Sequence, residues 1–269
     1  MILGLVVALL AGLATAVGGA LALRGPHPTR SMLAVALAFA AGAMVLISLV
    51  QIIPLGIEHM GATGATARTA LTVVWVSFFV GIGIVLAIDR FLPEPLNPNE
   101  MAGAEVDITL EDARVTRHVM RSGLLTAVVL GLHNFPEGMA TFFTTYQDPQ
   151  VGITLAIAIA IHNVPEGIAV AAPIYAATGS KTKAFWWATL SGLTEPMGAL
   201  VAAFMVGIVV PPQFFGVFYG MVAGMMVFLA LDELLPGSWR YQTDKHQTIY
   251  GMLGGMAVMA LSLVLFAAA

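Results

Sequence analysis

The sequence contains no cysteine, which excludes a disulfide framework and any metal site built from thiolates. Charge is also scarce, because Asp, Glu, Lys and Arg make up 10% of the 269 residues. A soluble domain carries about a quarter. Hydrophobic residues account for 59%, so the chain is expected to be an integral membrane protein. The formal net charge of -4 is small and gives no indication of a nucleic-acid partner.

Long apolar runs predict the fold class. A helix needs about 20 apolar residues to cross the hydrocarbon core. Eight segments meet this requirement, at 2–23, 32–54, 70–92, 122–145, 150–172, 184–209, 214–235 and 248–268. The first has no basic leader and is too long for the apolar core of a signal peptide, so we expect it to be retained. The prediction is an all-α integral membrane protein with one transmembrane domain over 1–269 and a cytoplasmic loop at 93–121.

Lysine and arginine predict the orientation, because the cytoplasmic loops of membrane proteins carry an excess of both. With eight spans, the loops after the first, third, fifth and seventh share one side of the membrane. That side holds Arg24, Arg30, Arg90, Arg114, Arg117, Arg121, Lys181, Lys183, Arg240 and Lys245, and the other side holds Arg68. Both termini are therefore predicted to be extracytoplasmic. Short loops and the lack of cysteine favour a bacterial inner (plasma) membrane.

An internal repeat links the two ends of the chain. The segment AAGAMVLISLVQIIP at 40–54 matches VAGMMVFLALDELLP at 222–236, with Ala, Gly, Met, Val, Leu and Pro at equal offsets. The second span therefore resembles the seventh. Pairing spans 1–3 with spans 6–8 gives two halves of opposite orientation around spans 4 and 5, which is a 3+2+3 inverted repeat. Inverted repeats are a recurrent plan of secondary transporters.

A second repeat places polar groups inside apolar helices. LHNFPEGMA at 132–140 is repeated 29 residues later as IHNVPEGIA. Residues three and four apart share a helix face, so His133 and Glu137 project together with Asn134 beside them. The second copy places His162, Asn163 and Glu166 in the same way. Both motifs lie about 12 residues from the predicted helix starts, near the middle of the bilayer.

A third carboxylate, Glu195 in SGLTEPMGAL, falls in the sixth span. Buried carboxylates are costly unless a cation or a proton neutralises them, and these carboxylates face no Lys or Arg inside the membrane. Two imidazoles with several hard oxygens suit zinc, ferrous iron, manganese or cobalt better than calcium. For one isolated polar residue, hydrogen bonding between helices is the better explanation. The duplicated motif with a third glutamate instead predicts a metal site.

Three further residues are weaker candidates. Met44 in the second span is either core packing or a thioether ligand. Asp232 and Glu233 lie near the predicted cytoplasmic end of the seventh span. They belong either to a solvated helix end or to an exit path for metal.

The paired HNFPEG and HNVPEG motifs, with SGLTEP and ALDELLP, resemble the ZIP family of divalent-metal transporters, and within it the bacterial ZupT branch. The similarity runs along nearly the whole chain. It implies eight helices in 3+2+3 order and import of zinc, and also of iron(II), manganese and cobalt, through a two-metal site. By motif match, one metal position would use His133, Glu137, His162, Glu166 and Met44, and its neighbour Asn134, Asn163 and Glu195 with both motif glutamates bridging.

The acidic loop departs from the family pattern. Many relatives carry a histidine-rich loop between spans 3 and 4, whereas residues 93–120 contain His118 and several carboxylates. A metal-delivering role for this loop is therefore not expected. The expected partners are divalent metal ions and the lipid bilayer, and a homodimer is compatible with the sequence. The metal is the transported substrate, and no cofactor is expected.

Two other functions use the same residues. An intramembrane metalloenzyme could activate water at an open metal position. Against this, the chain has no HExxH motif, and its candidate ligands come in matched copies. A passive metal channel is the second alternative.

Overall fold

Eight helices build the described part of the chain. The computed structural model describes residues 1–24, 29–91, 113–206 and 211–267. Within them the helices are α1 (Ile2–Ala22), α2 (Arg30–Ala62), α3 (Ala67–Phe91), α4 (Ala113–Gln147), α5 (Pro149–Thr178), α6 (Lys181–Val206), α7 (Pro212–Tyr241) and α8 (Gln247–Ala267). Each of the eight predicted segments corresponds to one of them, and the all-α fold class is confirmed.

Seven of the helices, within the ranges just given, are long and apolar enough to cross a membrane. The middle of α4 carries His133, Asn134, Pro136 and Glu137, and α5 carries the matching residues of the second motif copy. Polar groups inside apolar helices are expected where function requires them within a membrane.

Four predicted helix boundaries are wrong by six residues or more, and one of them is the end of the fifth span, which continues to Thr178 instead of ending at 172. The second span continues to Ala62 instead of ending at 54, and the seventh to Tyr241 instead of 235. The fourth begins at Ala113 instead of 122, so part of the predicted loop is helical. Residues 93–120 were predicted to be a linker. Residues 93–112 of this segment lie outside the described residues.

A π-helical turn explains why two prolines do not end their helices. Residues Ser48–Ile52 of α2 and Ala230–Leu234 of α7 form such turns, at equal positions in the internal repeat. The N–H of Ile53 bonds to the Ser48 carbonyl, five residues back. Pro54 then falls in the first turn of the next α-helical segment, where its missing N–H is tolerated. The π-helical turn thus accommodates Pro54, at which the second helix had been predicted to end.

Close backbone contacts at glycine pair α1 with α5 and α6 with α4. A Cβ on Gly18 would lie 1.9 Å from the Val164 carbonyl oxygen, and one on Gly198 would lie 1.9 Å from that of Phe135. Helices can approach this closely in a membrane where a small residue removes the side chain. The two contacts match residue for residue. Gly198 of α6 comes 180 positions after Gly18 of α1, and Val164 comes 29 positions after Phe135, which is the separation of the two motif copies.

The remaining helices pair in the same matched way. A Cβ on Gly42 of α2 would lie 2.1 Å from the Met252 carbonyl oxygen of α8, and one on Gly224 of α7 would lie 1.9 Å from that of Phe78 in α3. Gly42 and Gly224 are 182 positions apart, as in the repeat between the second and seventh spans, and Phe78 and Met252 are 174 positions apart. The same two separations relate Gly81 and Met221, which are in contact, to Gly255 and Phe39. The 3+2+3 grouping stays a prediction, and the matched contacts support it.

Hydrogen bonds link helix ends that the topology predicts on one side. The Lys181 ammonium donates to the Leu23 carbonyl, which joins the start of α6 to the end of α1. The Arg30 guanidinium donates to the Arg240 carbonyl, which joins the start of α2 to the end of α7. These four residues therefore lie at matching ends of their helices, as an alternating path of eight spans requires.

Candidate metal centre

The two motif copies meet across the interface between α4 and α5, and their imidazoles and carboxylates pair crosswise. His133 Nε2 lies 3.2 Å from Glu166 Oε1, and His162 Nε2 lies 3.4 Å from Glu137 Oε1. Each helix thus contributes one imidazole and one carboxylate to two mixed pairs. The i, i+4 spacing puts both groups on one face of each helix, and the contact between α4 and α5 turns these faces toward one another.

One of these imidazoles is set up to act as a ligand through its outer nitrogen. His162 Nδ1 lies 3.2 Å from the Ala158 carbonyl oxygen. A carbonyl oxygen only accepts hydrogen bonds, so Nδ1 carries the proton in this bond. When the ring is neutral, the lone pair of Nε2, on the side of Glu137, is then available to bind a metal ion. This is the tautomer that a histidine bound to metal through Nε2 commonly adopts.

The spacing of the pairs fits a small divalent cation. Two ligand atoms about 2.0–2.1 Å from a tetrahedral zinc ion lie roughly 3.3–3.4 Å apart. The two imidazole–carboxylate separations are 3.2 and 3.4 Å. Each pair could therefore provide two of the ligands of a zinc-sized ion with little movement.

Glu195 joins this set through an asparagine. The Asn163 amide nitrogen donates to Glu195 Oε2 at 2.8 Å and to the Ala11 carbonyl oxygen of α1 at 3.0 Å. The single amide group thus ties α5 to both α1 and α6. The Glu195 carboxylate also lies within electrostatic range of Glu137 and Glu166. The third carboxylate predicted from the sequence therefore belongs to the same cluster.

A break in α6 puts Glu195 where it is. The helix is interrupted at Leu193, and its second segment, Thr194–Val206, carries Glu195 in its first turn. Pro196 has no N–H to donate to the Gly192 carbonyl, which weakens the helix at this point. A negative charge at the start of a helical segment is favoured by the peptide dipoles. The proline and the interruption thus position and stabilise the carboxylate.

The cluster is buried and rich in negative charge. The side chains of His133, Asn134, Glu137, His162, Asn163, Glu166 and Glu195 are all between 0 and 2% exposed. None of the Lys or Arg side chains that the structure describes is buried. Three carboxylates and two imidazoles enclosed in this way attract a cation strongly, because no described Lys or Arg is buried beside them.

Several polar atoms of the cluster are left for a ligand. Both side-chain atoms of Asn134, together with Asn163 Oδ1, Glu166 Oε2 and Glu195 Oε1, make no hydrogen bond to any part of the chain that the structure describes. Buried polar atoms of this kind are rare without a functional reason. Their chemistry is mainly that of amide and carboxylate oxygen, which bind hard divalent cations.

The ligand set is not closed around one point. Across the described residues, no three His, Asp or Glu side chains converge closely enough to form a complete cation site. The carboxylates are turned to an imidazole or an amide on a neighbouring helix instead. Binding a metal at either mixed pair therefore requires a further ligand to rotate toward it.

The weaker candidates are found at different depths. Met44 is fully buried on α2, which packs against α5, and its repeat partner Met226 is buried on α7. Asp232 and Glu233 are half-buried in the π-helical turn of α7. The helix continues beyond them to Tyr241, so they do not lie at its solvated end as the predicted boundary implied. A role in metal exit stays a prediction.

Sequence reasoning missed the contribution of α1. The Ala11 carbonyl accepts from Asn163, and Thr15 is fully buried where α1 crosses α6. A signal for this crossing was present, because GLATAVG at 12–18 and GLTEPMG at 192–198 share Gly, Leu and Gly at equal spacing. The match is short and carries no shared polar residue, so it did not stand out.

Comparison with known proteins gives the family. The model of the family described as ZIP Zinc transporter matches residues 94–263. The chain belongs to the ZIP zinc transporter family. A zinc transporter ZupT from Corynebacterium aurimucosum is 47% identical over 96% of this chain and 95% of its own length. ZupT proteins from Stenotrophomonas maltophilia and Streptococcus mutans are 45% and 44% identical, over 98% and 96% of this chain and 96% and 95% of their own lengths.

Membership of the ZIP family settles two questions. ZIP proteins are transporters, so the metalloenzyme alternative is excluded and the chain is not an enzyme. With seven described helices apolar enough to span a bilayer, the chain is a multi-pass membrane protein.

Proposed function

We propose that this protein imports divalent metal ions into the cytoplasm, with zinc as the main substrate and iron(II), manganese and cobalt as further substrates. The observation that carries the proposal is the crosswise pairing of His133 with Glu166 and of His162 with Glu137, at 3.2 and 3.4 Å. His162 lies near the middle of the 30-residue α5, so the pairs belong to the centre of the bilayer. Curated relatives at 44–47% identity are named zinc transporters, which favours zinc.

The proposed site holds two metal ions side by side. The first position uses His133, His162 and the two motif glutamates, with Met44 as a further ligand. The second uses the oxygens of Asn134, Asn163 and Glu195. Glu137 and Glu166 serve both positions, which is supported by their electrostatic interaction with Glu195. The first position combines imidazole and carboxylate ligands and suits zinc. The second position is built from oxygen atoms and suits harder cations such as manganese.

Transport by alternating access is supported by the way the helices are bonded. Side-chain hydrogen bonds join α1, α4, α5 and α6 through the groups already described. Others join α2, α7 and α8 through Ser238 and Gln247. The close glycine contacts fall within α1, α4, α5 and α6 or within α2, α3, α7 and α8. Two internally bonded groups can shift against one another and expose a site to either side.

A hydrogen bond between described residues also crosses between these groups, at the outer end of the helices. The Tyr219 hydroxyl of α7 lies 2.8 Å from the Thr144 hydroxyl of α4, amid the side chains of Phe143, Phe214, Phe215 and Phe218. This aromatic cluster lies toward the end of α4 next to Asp148 and the start of α7 next to Pro211, and we propose that it closes the path from the site to that side. The proposed orientation makes that side extracytoplasmic, in a bacterial inner membrane.

Zinc flux into proteoliposomes tests the proposal directly. Purified protein is reconstituted with a zinc-sensitive dye inside the vesicles, and initial rates are measured against external free zinc. We expect saturable entry with strong temperature dependence, because a carrier changes conformation in each cycle. Protein-free vesicles with and without a zinc ionophore serve as controls. Entry at the protein-free rate would overturn the transport function, and entry without saturation would favour the channel.

Zinc import is expected to fall severalfold when the external pH is lowered from about 7 to about 5. The forms of His133, His162 and the three glutamates that bind metal are the deprotonated ones, and protons compete for the same atoms. The measurement is initial zinc flux at fixed internal pH, with free zinc buffered separately at each external pH. Ionophore-driven flux in the same buffers corrects for the dye. A rise at acid pH would instead indicate proton-coupled symport.

A further inference from the structure

Thr15 of α1 is a buried hydroxyl that the ligand set described above does not use. It is 0% exposed, and its Oγ1 makes no hydrogen bond within the described parts of the chain. Serine and threonine inside helices usually donate to the carbonyl four residues back. Thr144, Thr145 and Thr189 do so here, at 2.7–2.8 Å. Thr15 departs from this behaviour, as do Thr141 and Ser191.

The carbonyl to which the Thr15 hydroxyl would normally donate already accepts a hydrogen bond from a residue of the candidate metal centre. Four residues before Thr15 stands Ala11, whose carbonyl oxygen accepts from the Asn163 amide at 3.0 Å. The same amide nitrogen donates to Glu195 at 2.8 Å. The Thr15 hydroxyl is therefore released from its own helix by a residue of the candidate site. Its position is coupled to Asn163 through one shared backbone group.

Matched contacts make Thr15 the counterpart of Glu195. A Cβ on Gly167 would lie 1.9 Å from the Thr15 carbonyl oxygen, and one on Gly138 would lie 1.8 Å from the Glu195 carbonyl oxygen. Both pairs follow the offsets of 180 and 29 found above. Gly12 and Gly192 meet each other directly, with a Cβ on either lying 2.3–2.4 Å from the carbonyl oxygen of the other. Thr15 thus occupies in α1 the place that the third carboxylate occupies in α6.

The Thr15 side chain lies at this crossing. A Cβ on Gly192 would be 2.8 Å from Thr15 Cβ and 3.0 Å from Thr15 Oγ1, while one on Gly12 would be 3.3 Å from Glu195 Cβ. The two side chains therefore enter the core on either side of one glycine–glycine contact. Among the oxygen atoms of the candidate site, Asn163 Oδ1 and Glu195 Oε1 have no partner in the described residues.

We propose that Thr15 is a positioning residue of the oxygen-rich metal position, and this inference rests on the proposed function. When the cargo ion is bound, its hydroxyl donates its one hydrogen bond to an oxygen ligand, Asn163 Oδ1 or Glu195 Oε1, and holds that ligand toward the ion. A neutral hydroxyl at the place of a fourth carboxylate also limits the negative charge of the site. Because the second position is built from oxygen, losing this bond affects manganese more than zinc.

Thr15→Val tests the proposal, since it removes the hydroxyl and keeps the shape. Equilibrium binding of manganese to the purified protein, followed by its electron paramagnetic resonance signal, is measured beside mixed-metal uptake in proteoliposomes. We expect manganese binding to weaken roughly tenfold, with a smaller change for zinc. Thr15→Ser restores a hydroxyl and is expected to retain the wild-type ratio. Thr189→Val is the matched control, because that hydroxyl bonds to the Phe185 carbonyl instead.

Each result decides the question. A wild-type ratio of manganese to zinc in Thr15→Val, equal weakening of both metals, or equal loss in Thr15→Ser would overturn the role. If Thr15→Val does not fold, Thr15→Ala, which only deletes atoms, is judged by the same criteria. Absence of zinc flux in wild-type vesicles would instead remove the proposed function. The binding measurement would then still report whether Thr15 supports a manganese site.

Discussion

Replacing Glu166 by glutamine is expected to reduce zinc import to below roughly a tenth of the wild-type rate while the protein stays folded. The change keeps the size of the side chain and removes its charge. Glu166 is fully buried, pairs with His133 at 3.2 Å, and interacts electrostatically with His162 and Glu195. In the proposed site it serves both metal positions, so neither survives its neutralisation. Initial zinc flux per mole of reconstituted protein is the measurement.

Two comparisons separate loss of the site from loss of the fold. Glu58→Gln makes the same chemical change at an exposed position near the end of α2 and is expected to transport normally. Glu137→Gln, in the matched motif copy, is expected to behave as Glu166→Gln does. Thermal unfolding in detergent checks that all three variants are folded. Import above half the wild-type rate in folded Glu166→Gln would refute a site shared between two metals.

Gly81→Ala is expected to destabilise the protein by about 1–3 kcal/mol, seen as a lower Tm in detergent. A Cβ on Gly81 of α3 would lie 2.1 Å from the Met221 carbonyl oxygen of α7. The obstructing atom belongs to the backbone, so relief requires the two helices to move apart. That movement would also loosen packing along the rest of the contact, which includes Gly224 against Phe78.

Gly83→Ala in the same helix is the matched control. Gly83 is exposed, and a Cβ there would have no atom of the described chain outside its own helix within 4 Å. Alanine is the better helix former, so the stability of this variant is expected to stay within about 1 kcal/mol of wild type or to rise. An equal loss of stability in both variants would mean that glycine is needed for flexibility of α3 and not for close packing.

The sequence by itself determined the class of the protein, the number of helices and most of the polar cluster. Composition required a membrane, and eight apolar runs matched eight helices. The duplicated motif determined that His133 and Glu137 share one face, as do His162 and Glu166, because the period of a helix is a local property of its backbone. Glu195 followed from the cost of an uncompensated carboxylate in a membrane. Each of these inferences needed one helix at a time.

The tertiary structure decided everything that depends on how two helices meet. It paired each imidazole with the carboxylate of the other motif, joined Asn163 to Glu195 and the Ala11 carbonyl, and put Thr15 at the crossing of α1 and α6. It also carried α2 and α7 through their prolines by means of π-helical turns. Helix periodicity does not fix the rotation or depth of one helix against another. Those are set by close contacts between glycines and carbonyl groups far apart in the chain, which a pattern within a single helix cannot encode.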